Sequence, residues 1–457
     1  MITRVRRSSR RQSIAIVAVR AALAGGATFA AGPALAQTYE PAPATVERYG
    51  RLVLGDVYAA AQQANPRAAA ARALAQAARA RIPSAKRPAD PQVQLGFMNY
   101  ELPGLSPMDP IGMTQLQVMQ MVPIGGKLGL SGDVAEARAG AEAARAREVA
   151  WDTRTRVAEA FYELYALDRS LVVARETLRL LHDVARTTES MYRVGEGRQA
   201  DVLRSQVEIA RMTEDTLRMR AMRTAVAGRL NALLDRSAEA EVGIPQLPVF
   251  PSTTPLLDSL QRAAGGRPMI HAGSEEVQAA VAASRLARRE LLPDVQLGVQ
   301  YGQRRGAMGT ERMGSLMVGA SVPVFARSRQ LRMRDEMAAM RDMAEADLAS
   351  MRADTRAAVA EAYADLTRAR NLTALYRGTV IPQTEATVSS ALAAYRVGGV
   401  DFMALLDDRM LVNEYRQELF RLEAEEGKAW AELEMLLGRE LLDSHAVARG
   451  AAEGSVR

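Results

Sequence analysis

Apolar and polar residues alternate in four short stretches of the chain. Val93, Leu95 and Phe97 stand between Gln92, Gln94 and Gly96, and Leu116 and Val118 between Gln115 and Gln117. Val295, Leu297, Val299 and Tyr301 alternate with Gln296, Gly298, Gln300 and Gly302; Leu316, Val318, Ala320 and Val322 alternate with Met317, Gly319 and Ser321. A period of two predicts β-strands with one apolar and one polar face. The strands are expected at about 91–101, 113–122, 294–303 and 313–323. Pro103-Gly104 to Pro110-Ile111-Gly112, and Gly306 to Gly309, mark the turns between them.

The rest of the chain is helical in pattern. From Lys127 to Tyr192 there is no proline, and Ala, Arg, Glu and Leu dominate. Such a helix would run about 100 Å, too long for one globular core, so a coiled coil is expected. The sequence YRVG ends it at Tyr192–Gly195, and a return helix of about 55 Å is expected from Arg198 to Leu234. A second long helix from about Arg327, bent at Pro382, reaches a second YRVG at Tyr395–Gly398 and returns from Asp401 to Leu437. On that return Leu411, Tyr415, Leu419, Leu422, Trp430, Leu433 and Leu437 form an apolar packing seam. Shorter helices, Arg67–Arg81 and Met269–Glu290, precede each strand pair. Because the return helix covers only half the height, the short helix that begins the next unit is expected to stack on its end.

These elements are one unit written twice. Asn65-Pro66 answers to Arg267-Pro268, VQLG at Val93 to VQLG at Val295, and Val122-Pro123 to Val322-Pro323. Ala158–Phe161 answers to Ala360–Tyr363 and Leu233-Leu234 to Leu436-Leu437; all offsets, with the YRVG pair, lie between 200 and 203 residues. The expected division is a signal peptide over 1–36, a linker over 37–50, a first repeat over 51–245, a second over 246–442 and a tail over 443–457.

Composition narrows the class. The first 36 residues hold six arginines, no acid, an apolar run and a closing Ala34-Leu35-Ala36, the pattern of a secretory signal cleaved before Gln37. Removing those six from 59 basic residues leaves 53, equal to the 53 acidic ones, so no nucleic-acid partner is indicated. The absence of cysteine excludes disulfides, thiolate metal sites, a cysteine nucleophile and a lipid-modified N-terminal cysteine. No apolar run after the signal reaches the roughly 20 residues of a spanning helix, so entry into a membrane would be through strands. Four strands cannot close alone, and open edges are not tolerated in lipid, so several copies must share a barrel. No nucleophilic triad, phosphate loop or metal-ligand spacing is present, and the chain is expected not to be an enzyme and to hold no cofactor. His182, His271 and His445 are scattered and form no metal site.

The order helix, strand, strand, long helix, tip, return helix, given twice, resembles the TolC family of outer-membrane efflux channels over the whole mature chain. The resemblance implies a mainly α fold with a small β part: a homotrimer with a twelve-stranded outer-membrane β-barrel and a periplasmic coiled-coil tunnel. It implies a passive exit duct that docks onto a periplasmic adaptor protein and an inner-membrane pump of the RND type, in a Gram-negative outer membrane. The segment QMVPIGGKLGL (Gln120–Leu130), preceded by Met113-Thr114, is similar to the CusC- and CzcC-like branch serving heavy-metal pumps. In the family the tips meet the adaptor, which points here to Tyr192, Val194, Gly195, Tyr395, Val397 and Gly398. Glu196-Gly197 and Gly399 depart from the family's tip pattern and leave the adaptor's identity open. Asp201 and Asp407 match positions of gate carboxylates, six and nine residues after the tip glycines, although Ala404 rather than an acid stands six residues after Gly398. Threefold rings of acid at a narrow mouth would favour cations. Their alternative is a helix-start acid for Asp201 and a solvated face for Asp407. Methionines clustered in the first strand pair, Met98, Met108, Met113, Met119 and Met121, are thioethers able to bind Cu(I) or flexible apolar filler. An exit duct for drugs or secreted proteins, and a non-transporting periplasmic coiled-coil protein, remain as alternatives.

Overall fold

The computed structural model describes residues 50–104, 106–108, 111–306, 308–396 and 399–446. In chain order they form β1 (Arg51–Leu52), α1 (Leu54–Ala64), α2 (Pro66–Ala80), α3 (Ile82–Ala85), β2 (Gln92–Met98), β3 (Tyr100–Glu101), β4 (Ser106–Pro107), β5 (Met113–Val122), α4 (Lys127–Arg193) and α5 (Gln199–Leu233). The second half holds β6 (Ile244–Pro245), α6 (Leu257–Ala263), α7 (Pro268–Arg289), β7 (Asp294–Gly306), β8 (Gly309–Ser321), α8 (Gln330–Leu375), α9 (Ile381–Arg396) and α10 (Phe402–Leu437). The signal-peptide and linker residues before Gly50 and the tail after Ala446 lie outside the described residues.

The four long strands make one antiparallel sheet in the order β2-β5-β7-β8. The two hairpins are joined by β5 and β7, which pair over Met113↔Arg304 to Val122↔Val295. β8 starts at Gly309, before the alternation becomes apolar, because pairing continues through Arg305↔Thr310 and Arg304↔Glu311, with an Arg304–Glu311 ion pair at 2.7 Å. It stops at Ser321, ahead of Val322-Pro323, since proline has no N–H for the ladder.

α4 is 67 residues long, about 100 Å. At its strand-proximal half it is flanked by α2 and α7, at its tip-proximal half by α5 and α10; α8 packs on α7 and α10. The stacking expected of the next unit's short helix occurs instead within each repeat. Asn65, the N-cap of α2, accepts from Arg67 N and Ala68 N and donates from Nδ2 to Leu233 O at 2.9 Å, at the end of α5. Gly438 ends α10 at φ +64, and a Cβ there would lie 2.7 Å from Pro268 Cδ at the start of α7. Each short helix leads through its own hairpin into the long helix it lies along, so the space above that helix's return partner is the nearest place for it.

The bend expected at Pro382 is a π turn, Tyr376–Val380, after which the helix continues as α9. The wider turn accommodates a residue that cannot donate to the carbonyl four residues back. In the expected seam Leu422, Trp430, Leu433 and Leu437 are buried, whereas Leu411 is exposed.

Three elements had no counterpart in the sequence pattern. α1, α6 and the segment 439–446 cover the helices as a belt, fastened by the parallel pair β1–β6 and by Gly55 N→Ser444 O and Val249 N→Ala446 O. Leu54, Val57, Tyr58 and Ala61 of α1 pack on Val157, Phe161, Tyr162 and Leu164 of α4; Leu260 of α6 packs with Leu366, Trp430 and Leu433.

Candidate functional site

The sheet separates its side chains by chemistry. Directly paired residues share a face, and Leu95–Leu116–Tyr301 and Val93–Val118–Val299–Leu316 run across one of them, with Leu297–Val318 beside. Most of these side chains are exposed: Leu316 is 76 % accessible and Val318 70 %. The other face carries Gln94–Gln117–Gln300–Ser315 and Gly96–Gln115–Gly302. Gln300 and Gln115 are hydrogen-bonded across strands. The outer strands β2 and β8 have unpaired edges within the chain. Among the described residues no helix is long and apolar enough to cross a membrane.

At the other end of α4, Gly195 takes φ +79 and the N–H groups of Glu196 and Gly197 both donate to Met191 O, closing the turn. Tyr192 is exposed and Val194 is 69 % accessible. The Tyr395 hydroxyl of the second hairpin lies 3.7 Å from Met191 Sδ of the first, so the two tips are neighbours. Val397 and Gly398 lie outside the described residues. Asp201 sits in the first turn of α5, half-buried, one turn before the fully buried Ser205. Asp407 is exposed on α10, next to buried Leu406. The structure does not join these two acids, and neither has a hydrogen-bonding or ion-pair partner for its carboxylate among the described residues.

The tips and the sheet are thus at opposite ends of helices held in register by ion pairs whose carboxylates, Glu423 and Glu148, are buried. Tyr165 donates to Glu423 at 2.6 Å and Arg377 pairs with Glu423 at 2.5 Å; burial, with the Glu423 charge, pushes the Tyr165 hydroxyl far above its usual range, so it stays a donor. Arg267 at the start of α7 pairs with buried Glu148 of α4, which also accepts from Met269 N at 3.1 Å. Burial, then the carboxylates of Glu361, Asp365 and Glu159, raises the Glu432 carboxyl above its ordinary range. These groups come from α4, α8 and α10, too far apart in sequence for any local pattern to show them.

A model of the family described as outer membrane efflux protein matches residues 57–235 and again 259–439, most of the chain in two successive copies. The chain belongs to the outer membrane efflux protein family. The pyoverdine export outer membrane protein OpmQ of Pseudomonas putida is 24 % identical over 306 residues, covering 62 % of this chain and 61 % of OpmQ. The chain thus spans less than two thirds of that relative's length. Among solved structures, the outer-membrane channel OprN aligns with a TM-score of 0.73 at 19 % identity, over 84 % of this chain and 89 % of that one. CusC gives 0.73 at 17 % identity, over 84 % and 92 %, and VceC from Vibrio cholerae gives 0.72 at 16 %, over 85 % and 96 %. These likenesses establish the fold of the chain.

The stretch QMVPIGGKLGL has a structural role in this chain. Gly125 and Gly126 adopt φ +74 and +77 at the passage from β5 to α4, and Leu292 packs where a Cβ on Gly125 would stand. Lys127, 5 % exposed at its side chain, donates to Leu292 O at 2.9 Å and Asp294 Oδ1 at 2.8 Å. It locks the sheet-to-helix joint of the first repeat to the helix-to-sheet joint of the second, where α7 runs into β7. Gly125 and Lys127 are therefore committed to this joint.

Proposed function

We propose that the chain is the outer-membrane exit duct of a tripartite efflux system. Three copies close their sheets into one barrel, and the helices form a periplasmic tunnel whose tips meet an adaptor protein beneath, which links it to an inner-membrane pump of the RND type. The observation that carries this reading is a sheet with an exposed apolar face, a polar face and two free edges. Such a sheet is stable in a membrane only when its edges are paired, and further copies of itself supply the pairing.

The test uses the absence of cysteine. Within one chain β2 and β8 are separated by two strands, about 14 Å, which no disulfide spans. Leu95→Cys combined with a scan of cysteines through Leu316→Cys and Val318→Cys should therefore give, on oxidation of native membranes, bands of two and three linked chains. Monomer at every register would end the proposal.

For cargo we propose heavy-metal cations, which the resemblance of Gln120–Leu130 to the metal-pump branch supports. A second reading, export of an organic compound, is favoured by the similarity to a pyoverdine exporter. A deletion strain more sensitive to copper, silver, zinc, cobalt or cadmium than to drugs and detergents supports the first; the reverse pattern supports the second.

A further inference from the structure

The four long strands contain six methionines, Met98, Met113, Met119, Met121, Met313 and Met317. By strand register all six stand on the glutamine face: Met98 pairs with Met113, Met121 with Gln296, Met119 and Met317 with Gly298, and Met313 with Gly302. Every valine, leucine, phenylalanine and tyrosine of the same strands stands on the opposite face. Were methionine serving here as one more apolar filler, it would appear beside valine and leucine on the apolar face. Its complete segregation with amides, glycines, Ser315 and the Arg304–Glu311 pair separates the thioether's chemistry from its hydrophobicity.

The glycines of β7 sharpen the pattern. A Cβ on Gly298 would lie 3.2 Å from Met317 Cε and 3.4 Å from Met119 Cγ, so side chains from both neighbouring strands converge over it. A Cβ on Gly302 would lie 2.9 Å from Met113 Sδ, and its partner on β8 is Met313. Two tiers of paired methionines, four residues or about 13 Å apart along β7, thus flank gaps where side chains are missing. Gln296 and Gln117 place amide nitrogens 3.8 and 3.9 Å from the sulfurs of Met119 and Met317.

We propose that these two tiers are binding steps for a soft monovalent cation, Cu(I) or Ag(I), on the inner wall of the barrel. Neutral thioethers are soft ligands that suit such ions and discriminate against hard cations and against Zn²⁺, which prefers nitrogen, thiolate and carboxylate. Sparse neutral ligands, repeated along the path, bind weakly enough to release the ion to the next tier, as conduction requires. The proposal rests on the reading that the glutamine face is the lumen of a closed barrel.

The experiment uses the purified full-length protein in detergent and in planar bilayers bathed in potassium nitrate, with silver nitrate as the probe. The variant carries Met113→Leu, Met119→Leu, Met313→Leu and Met317→Leu, a replacement that keeps volume and removes sulfur. Wild type should bind Ag(I), and Ag(I) but not Zn²⁺ should reduce its potassium current. The variant should bind silver about tenfold more weakly or worse, and Ag(I) should no longer reduce its potassium current. A second measurement needs no variant: Ag(I) should protect Met113, Met119, Met313 and Met317 of wild type from peroxide oxidation, read by peptide mass spectrometry. Met308, in the exposed β7–β8 turn, should stay unprotected. Equal silver binding by both proteins, or equal protection of Met308, overturns the inference while potassium conduction keeps the channel reading. Loss of potassium conduction in wild type overturns both.

Discussion

Glu434 of α10 is 1 % exposed and holds the C-terminal segment of the belt to the helices. Its Oε1 accepts from Leu441 N at 2.7 Å and Leu442 N at 2.8 Å, and its Oε2 lies 3.4 Å from Arg154 Nε. Burial raises its carboxyl above the ordinary 4.5, with the two N–H groups and Arg154 offsetting part of the shift. Glu434→Ala strands two backbone donors, each costing about 1–3 kcal/mol when left unpaired, so a loss of about 2–6 kcal/mol is expected. Glu434→Gln keeps an acceptor for both donors and abandons only the charge. Arg154 retains Glu440 at 2.6 Å and the Tyr58 ring at 3.9 Å, so this change should cost under about 1 kcal/mol. Denaturant unfolding of the detergent-solubilised protein, followed by circular dichroism, gives both numbers. The pH dependence has a definite sign. The folded protein holds this proton more tightly than the unfolded chain, so the stability it contributes is present below pH 4.5 and falls as pH rises through the raised folded value. Glu434→Gln should flatten that slope. A Gln variant as damaged as the Ala variant would show that the charge, and not the pair of backbone bonds, holds the belt, and the reasoning would fail.

Replacing Gly195 and Gly398 by valine should abolish efflux with trimers still in the membrane, because Gly195 needs φ +79 and the tips are the proposed adaptor surface; undiminished transport in the double variant would place docking elsewhere. Asp201→Asn with Asp407→Asn should alter single-channel conductance and weaken block by divalent and trivalent cations, leaving assembly intact. Wild-type conductance and block would reduce both to ordinary helix residues.

What was legible in the sequence was what repeats with a short period. Alternation from Val93 to Phe97 and from Val295 to Tyr301 follows from a sheet with one apolar and one polar face, and the proline-free run from Lys127 follows from helix propensity alone. The belt was not legible. α1 is held by Leu54, Val57 and Tyr58 against residues a hundred positions away, and the segment 439–446 by the Glu434 carboxylate and by single hydrogen bonds from Gly55 and Val249. Neither has a repeat or a sufficiently long pattern to announce it. The stacking partner of each short helix was misplaced for a related reason: chain order suggested the following repeat, whereas the contact Asn65 to Leu233 is made inside one. At the candidate site the glycine turn was readable because Gly195 has a conformational task. The setting of Asp201 and Asp407 was not, since an acid on a helix looks alike in sequence whichever way it faces.

The pairing of the strands explains why a two-repeat chain suits a closed assembly. Each repeat contributes a hairpin, so the chain carries an even number of strands, all antiparallel in the order β2-β5-β7-β8. The first and last strands therefore run in opposite directions, and in the proposed barrel β8 of one copy would meet β2 of the next antiparallel, continuing the same ladder across the seam. An odd number would force a parallel seam between copies. Closure is then possible for several copy numbers, and the sheet alone does not choose among them. The choice would then fall to the helices: α2 and α8 are the outer members of the strand-proximal row α2-α4-α7-α8, and in the proposed assembly they would pack on a neighbour at the angle that brings the strand edges together. On this reading the repeat supplies the even strand count, the helix row sets the number of copies, and Lys127, bridging the first repeat's joint to Asp294 of the second, couples the two.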